Sequence, residues 1–153
     1  MTRSEIAEVL ASQWQWIARE RARQVPRLRL ERIAITEREG RSAARKLIGS
    51  LVAREAAALG VSYGRVAIRD QRSRWGSCSS RGTLSFNWRL VLAPLEVLDY
   101  VVVHELCHLR HADHSPRFWR LVQERRPGFA EQRAWLREHG AELRAFRPSG
   151  GAP

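Results

Sequence analysis

The sequence lacks the features that mark membrane proteins, disulfide-rich scaffolds and secreted proteins. No stretch approaches the roughly 20 apolar residues that a membrane span needs, and the longest apolar run, at residues 100–103, ends at His104. Two cysteines, Cys78 and Cys107, are too few for a small disulfide scaffold, so we expect two reduced thiols. The first residues lack the apolar stretch of a signal peptide, which predicts a cytoplasmic protein.

Lysine is also scarce, although the chain is strongly basic. Lys46 is the only lysine, and arginine supplies nearly all of the net charge of +11. A basic cytoplasmic domain commonly binds nucleic acid, because phosphates attract cations. A general preference for arginine, with the charges solvated on helix faces, explains the same composition equally well. The charge therefore makes nucleic acid a candidate partner without identifying it.

The length of 153 residues suits a single domain with one hydrophobic core. Amphipathic patterns predict a helical segment over residues 1–60 that packs on this core, with helices ending near Pro26 and Gly60. The core itself is expected over residues 61–147, followed by a disordered tail at 148–153. We expect a monomer without a membrane partner.

The core segment changes from strand patterns to helix patterns, which predicts an α+β fold. Alternating apolar residues predict strands at 66–71 and 83–87, and we expect these to form a small antiparallel sheet as a hairpin with a long connection. Prolines and a serine at helix-start positions predict three further helices, at 94–110, 115–125 and 129–146.

One segment has a metal-binding pattern: residues 104–108 read His-Glu-Leu-Cys-His. Residues four apart lie on the same face of a helix, so both imidazoles can reach one ion. Glu105 is turned about 100° from His104 around the axis, which keeps it out of the ligand set and lets it face a metal-bound water as a general base. Zinc, one ion per chain, is the metal we expect, because it prefers imidazole ligands.

A catalytic zinc takes three protein ligands and keeps one position for water, so a third ligand is needed. In a continuous helix, His111 would lie about 10.5 Å along the axis from His104, too far for bonds of about 2.0–2.1 Å to converge. His114 follows a short non-helical link from which the chain can turn back toward the site. We favour His114 as the third ligand, with His111, Glu124 and Glu131 as alternatives.

Several motifs together carry a family resemblance. Residues 104–119 read H-E-L-C-H-L-R-H-A-D-H-S-P-R-F-W, preceded by S-R-W-G-S-C-S at 73–79 and G-T-L-S-F-N at 82–87. In these motifs and their order, the chain from about Val66 to Leu143 resembles the YgjP-like metallopeptidase domain, a relative of the SprT-like and WLM zinc peptidases. The resemblance implies a minimal gluzincin-like fold, with a small sheet, an active-site helix and flanking helices, and a zinc peptidase core at 61–147.

The same resemblance implies roles for individual residues. By it, His104, His108 and His114 are zinc ligands and Glu105 is the catalytic base. Larger members of the family have a β-rich portion before the peptidase domain, whereas this sequence has helical patterns and a short alternating stretch there. Any function of that portion would then be missing. His111 stands where metzincins have glycine, which separates the chain from that group.

Three further residues are candidates for binding substrate or supporting the ligands. Tyr100 precedes His104 by one helical turn and could hold or cover that imidazole. Arg74 could bind an anion or a carbonyl oxygen, or could be a solvated surface charge. Asn87 could orient a ligand or donate to an oxyanion, although its place at a strand end also suits a turn. The strand at 83–87 could pair its edge with an extended peptide, although we favour an ordinary sheet strand.

Three functions from different classes fit these residues. The favoured one is a zinc peptidase with polypeptide substrates, which would act on DNA-associated proteins, as related families do, if its arginine-rich surface binds DNA. The second is a metal-dependent nucleotide pyrophosphohydrolase, which the lack of a Gly-rich phosphate loop disfavours. The third is a non-catalytic, basic nucleic-acid-binding module with a structural zinc, in which Glu105 would have no role.

Overall fold

The computed structural model describes Leu30 and residues 33–150, and the predicted helix before Pro26 lies outside them. The described residues form four α-helices and three strands around one core, which confirms the predicted α+β class. In chain order the elements are α1 (Glu37–Leu59), β1 (Val66–Arg69), β2 (Gly76–Cys78), β3 (Leu84–Asn87), a 3-10 helix (Trp88–Leu92), α2 (Leu95–Cys107), α3 (Pro116–Arg125) and α4 (Phe129–Ala145).

Local hydrogen bonds and backbone geometry fix the two ends of helix α1. The Thr36 hydroxyl accepts from the Glu39 N–H at 3.1 Å, and the Glu39 carboxylate accepts from the Thr36 N–H at 2.8 Å, forming a capping box. Gly60 ends the helix with a φ of 66°, in the left-handed region that favours glycine. The predicted helix end at Gly60 is therefore confirmed. The buried face of α1, which includes Ile48 and Val52, packs on α2.

The sheet is mixed, so the predicted antiparallel hairpin is wrong. Strand β1 pairs with β3 in parallel, and β2 pairs with β3 antiparallel, in the order β1-β3-β2. The cause is β2, which reverses the chain between the two predicted strands. Its sequence, Gly-Ser-Cys, contains no β-branched or aromatic residue, and these are the residues that indicate a strand.

Strand β3 is the central strand, so of the two possibilities considered for it the ordinary sheet strand is confirmed, and it has no free edge for a peptide. Strand β2 is an edge strand instead. The Trp75 carbonyl, just before β2, accepts from the Asn87 N–H at 2.8 Å and so points toward β3. Because backbone groups point alternately to the two sides of a strand, the N–H and C=O of Gly76 point away from β3.

Helix α2 lies at the centre of the core and contacts α1, α3, α4 and β2. It is apolar on nearly every side, as expected of a helix covered by other elements. Its buried apolar residues are Val97, Leu98, Tyr100, Val101, Val102, Val103, Leu106 and Cys107. Cys107 and the half-buried Cys78 are both free thiols, as the sequence predicts. No helix in the described part of the chain is both long and apolar enough to cross a membrane.

The predicted segment boundaries stay predictions, although contacts join the segments. Helix α1, from the first segment, packs on the core helix α2. At the other end, the Ser149 N–H donates to the Ile35 carbonyl at 2.7 Å. The described start of the predicted tail therefore lies against the residues that lead into α1.

Two buried carboxylates connect α1, α2 and α3. Glu55 is 1% exposed and accepts two bonds from the Arg125 guanidinium, one of them at 3.2 Å. Asp99, also buried, accepts from Arg126 at 2.8 Å. The Arg54 guanidinium lies 3.3 Å from the Glu55 carboxylate and 3.5 Å from that of Asp99. These ion pairs fix the end of α3 against the other two helices.

We expect Arg125→Met to lower the free energy of unfolding by about 3 kcal/mol, because it leaves the buried Glu55 carboxylate without its main cation. Urea unfolding at neutral pH measures the loss. The matched control is Arg137→Met, at an exposed position of α4, where a change within about 0.5 kcal/mol is expected. Equal losses in the two variants would contradict a stabilising role for the ion pair.

Candidate metal centre

Three imidazoles converge where α2 ends. The Nε2 atom of His114 lies 3.1 Å from that of His108 and 3.2 Å from that of His104. Ligands bound tetrahedrally at about 2.0–2.1 Å lie roughly 3.3–3.4 Å apart, so this spacing fits a zinc ion. Among the described residues, these histidines are the one group of His, Cys, Asp or Glu side chains that could hold a metal.

The end of α2 explains how the third histidine reaches the other two. The helix stops at Cys107, and His108 is its C-cap, a little earlier than the sequence predicts. A turn follows, and α3 begins after Ser115, whose hydroxyl accepts from the Phe118 N–H at 3.5 Å. His114 therefore stands just before a new helix and faces back toward α2. The alternative ligands are not in the group: His111, Glu124 and Glu131.

Polar neighbours orient two of the imidazoles. The Nδ1 atom of His108 lies 3.0 Å from the His111 carbonyl oxygen, so Nδ1 carries the proton and Nε2 keeps its lone pair. The Tyr100 hydroxyl lies 3.4 Å from His104 Nδ1, where the sequence predicts a supporting residue. Burial raises the pKa of Tyr100 to about 12, so its hydroxyl stays protonated.

Two of the imidazoles, those of His104 and His108, are also held in the neutral form that binds metals. Burial, together with the neighbouring His108 and His114, lowers the pKa of His104 to about 3. Burial likewise lowers the pKa of His108. Neutral nitrogens with free lone pairs at pH 7 fit the donor chemistry that zinc requires.

Phe118 is the apolar support of the centre. It is completely buried, and its ring centroid lies 5.0 Å from His104, 4.4 Å from His108 and 5.0 Å from His114. No local pattern in the sequence indicates that Phe118 touches all three imidazoles. One side chain thus belongs both to the hydrophobic core and to the candidate metal centre.

Glu105 is 6% exposed and lies against the edge strand β2. A Cβ atom at Gly76 would lie 3.0 Å from Glu105 Cγ and 3.2 Å from Oε1, so the strand approaches this closely because the residue is glycine. Burial raises the pKa of Glu105 to about 7, and the nearby Arg74 opposes that rise. A carboxylate with this pKa can accept and return a proton near neutral pH.

The remaining predicted residues lie around the segment before β2. Asn87 is 1% exposed: its amide nitrogen donates to the Gln71 carbonyl at 2.9 Å, and its oxygen accepts from the Arg89 N–H at 2.9 Å. Asn87 therefore holds the segment in place, with both polar atoms engaged by the chain. Trp75 packs against the core beneath the Arg144 guanidinium, 4.3 Å from its ring centroid. Arg74 is exposed.

The site has two histidines and a glutamate at the end of one helix and a third histidine in the turn that follows. This arrangement beside a small sheet defines a class: small α+β proteins with a centre of the metallohydrolase type. The family model described as "YgjP-like, metallopeptidase domain" matches residues 29–139. The chain therefore belongs to the YgjP-like family of metallopeptidase domains, as the sequence motifs predict. A comparison with curated proteins found no match.

Two solved structures are similar in fold. One is the metallopeptidase zymogen abylysin from Pyrococcus abyssi, with 26% identity and a TM-score of 0.54, covering 60% of this chain and 93% of that one. The other is the metallopeptidase zymogen jannalysin from Methanocaldococcus jannaschii, with 20% identity and a TM-score of 0.54. That match covers 60% of this chain and 94% of jannalysin. At this identity, the similarity to jannalysin supports the fold alone. The minimal metallopeptidase fold is confirmed.

Proposed function

We propose that this protein is a zinc metallopeptidase in which His104, His108 and His114 hold the ion and Glu105 is the general base. The proposal rests on the convergence of three Nε2 atoms. That of His114 lies 3.1 Å from that of His108 and 3.2 Å from that of His104. The group has three members and contains no cysteine. Structural zinc sites usually close with four ligands and favour cysteine, so an open, catalytic site fits better than a structural one.

The ion and the residues around it have separate roles in the proposed hydrolysis. Bound zinc would polarise the substrate carbonyl and lower the pKa of a water molecule. Glu105 takes a proton from the attacking water and passes it to the leaving amine, which its pKa of about 7 favours. The His111 carbonyl keeps His108 in the tautomer that leaves Nε2 free, and the Tyr100 hydroxyl lies within hydrogen-bond distance of His104 Nδ1, where it orients that ring.

The edge strand β2 supplies a place for the polypeptide. Gly76 directs its N–H and C=O away from β3, and an extended peptide can pair with these groups as an additional strand. Because Gly76 also lies against Glu105, this pairing would bring a substrate carbonyl next to the base. The role in peptide binding that we considered for the strand at 83–87 is thus proposed for β2 instead.

We expect Gly76→Ala to lower kcat/KM by about 10- to 100-fold, because the added methyl group must displace the Glu105 carboxylate or the strand. Kinetics on a cleaved peptide measure this loss. Gly49→Ala is the control, since a Cβ atom there meets nothing within 4 Å. Comparable kinetics in the Gly76 variant and the parent would contradict close contact between strand and base.

The direct test is to incubate the zinc-loaded protein with a disordered polypeptide, after chelation and after restoration of zinc. Fragments that appear only with zinc support the proposal. If no fragments form although zinc is bound, the peptidase proposal fails. Release of pyrophosphate from a nucleoside triphosphate under those conditions would then favour the alternative nucleotide hydrolase.

We further propose that the substrates include proteins bound to DNA, which the net charge of +11 supports. Neutralised phosphates release counterions, so DNA affinity should fall more than about tenfold between roughly 50 and 200 mM salt. Fluorescence anisotropy with a labelled single strand measures this. An affinity that does not change with salt would contradict a DNA-binding surface.

A further inference from the structure

Trp119 forms one wall of the candidate metal centre. Its ring centroid lies 5.7 Å from that of His104 and 5.8 Å from that of His114, with an angle of 24° between the Trp119 and His114 planes. Phe129 of α4 stacks on the same indole at 5.4 Å and 22°. The indole is half-buried, so part of this wall faces solvent next to two of the proposed ligands.

Arg133 is held on this wall. Its guanidinium carbon lies 4.7 Å from the Trp119 ring centroid, and Arg133 follows Phe129 by one turn of α4. A cation–π contact of this kind fixes a long side chain without hiding its charge. Trp119 in turn lies against His104 and His114, so the guanidinium is next to the centre.

Arg74 supplies a second exposed cation beside the base. It lies two residues before Gly76, whose backbone approaches the Glu105 carboxylate. Within residues 33–150, neither Arg74 nor Arg133 forms an ion pair, whereas three other arginines of this part do so with buried acids: Arg54, Arg125 and Arg126.

Arg133 has no ion-pair partner within residues 33–150 and lies on Trp119 beside a site for a divalent cation, which is unfavourable by itself because like charges repel. An anionic group on the ligand would offset that repulsion. The guanidinium fork matches a carboxylate in two parallel hydrogen bonds, and the indole beneath Arg133 keeps water from one face of the pair.

We propose that Arg133 and Arg74 select polypeptide segments with acidic side chains near the bond to be cleaved. Arg133 is the main specificity-determining residue, because Trp119 holds it in place, and Arg74 adds charge on the side of β2. This inference rests on the proposed peptidase function and names the substrate class of that site.

The test compares two peptides that differ only in Glu or Gln at the positions flanking the central bond. Binding is measured by fluorescence anisotropy on the zinc-loaded Glu105→Gln variant, and cleavage is measured on the parent. We expect the Glu peptide to bind about tenfold more tightly and to be cleaved with a correspondingly higher kcat/KM. Arg133→Gln should abolish this preference, and Arg133→Glu should transfer it to a Lys peptide.

The control is Arg45→Glu, which makes the same charge change at an exposed position of α1 and should keep the preference for Glu. Equal binding of the two peptides by the Glu105→Gln variant overturns the inference, even if the parent cleaves both. A similar loss in the Arg45 and Arg133 variants also overturns it, because net charge would then be the cause. Selective binding that depends on Arg133, without any cleavage, supports the acidic-ligand surface and overturns the peptidase function instead.

Discussion

Replacing Glu105 with Gln should lower kcat by about 10²–10⁴-fold and leave zinc bound. Gln has nearly the shape of Glu, so it keeps the contact with Gly76 and the buried packing. It cannot accept a proton from the attacking water, and Glu105 is not in the histidine group that would hold the metal. Steady-state kinetics on a cleaved peptide, together with zinc content by atomic absorption, measure the two expected results.

The matched control is Glu124→Gln, at an exposed position of α3, which should keep both zinc and activity. Two outcomes would contradict the role of Glu105 as a general base outside the ligand set. Loss of zinc in the Glu105 variant would make that residue a ligand or a support for one. Full zinc content with kcat within about twofold of the parent would exclude it as the base.

Phe118→Ala should lower the free energy of unfolding by about 3–5 kcal/mol, because it removes a completely buried ring from the core. It should also weaken zinc binding by about 10- to 100-fold, since the ring contacts all three imidazoles and its loss lets them rotate. Urea unfolding of the metal-free protein measures the first effect. Competition for zinc with a chromogenic chelator measures the second.

Val122→Ala distinguishes these two effects. Val122 is completely buried on the same helix, one turn beyond Phe118, and belongs to the core. Its truncation should cost stability with little change in zinc affinity. If both variants lost zinc affinity in proportion to stability, Phe118 would act only through folding of α3.

The proposed ligands could be predicted from the sequence because their geometry is local. His104 and His108 are one helical turn apart, and His114 precedes a Ser-Pro helix start, so spacing and capping rules were sufficient to bring them together. The helix boundaries follow from similarly local chemistry, as at Gly60. The motif order over about half of the chain also identified the family correctly.

The mixed sheet could not be predicted in this way, because strand pairing joins residues far apart in sequence. Gly76 belongs to a three-residue strand without strand-forming side chains, and its contact with Glu105 bridges 29 positions of the chain. The contact between Trp119 and Arg133 likewise joins two helices whose packing no single-segment pattern describes. Asn87 was recognised as a strand-end residue, but its bond to Gln71 appears only in three dimensions.

The contacts of Phe118 have a thermodynamic consequence. A ligand that binds only the folded chain adds about 1.4 kcal/mol of stability for each tenfold rise in its free concentration above Kd. Since one ring contacts both the core and the three imidazoles, we expect a bound ion to stabilise the docking of α3 through Phe118. Zinc supply would then control how long the folded protein survives proteolysis, and a metal-starved cell would lose the enzyme itself as well as its activity.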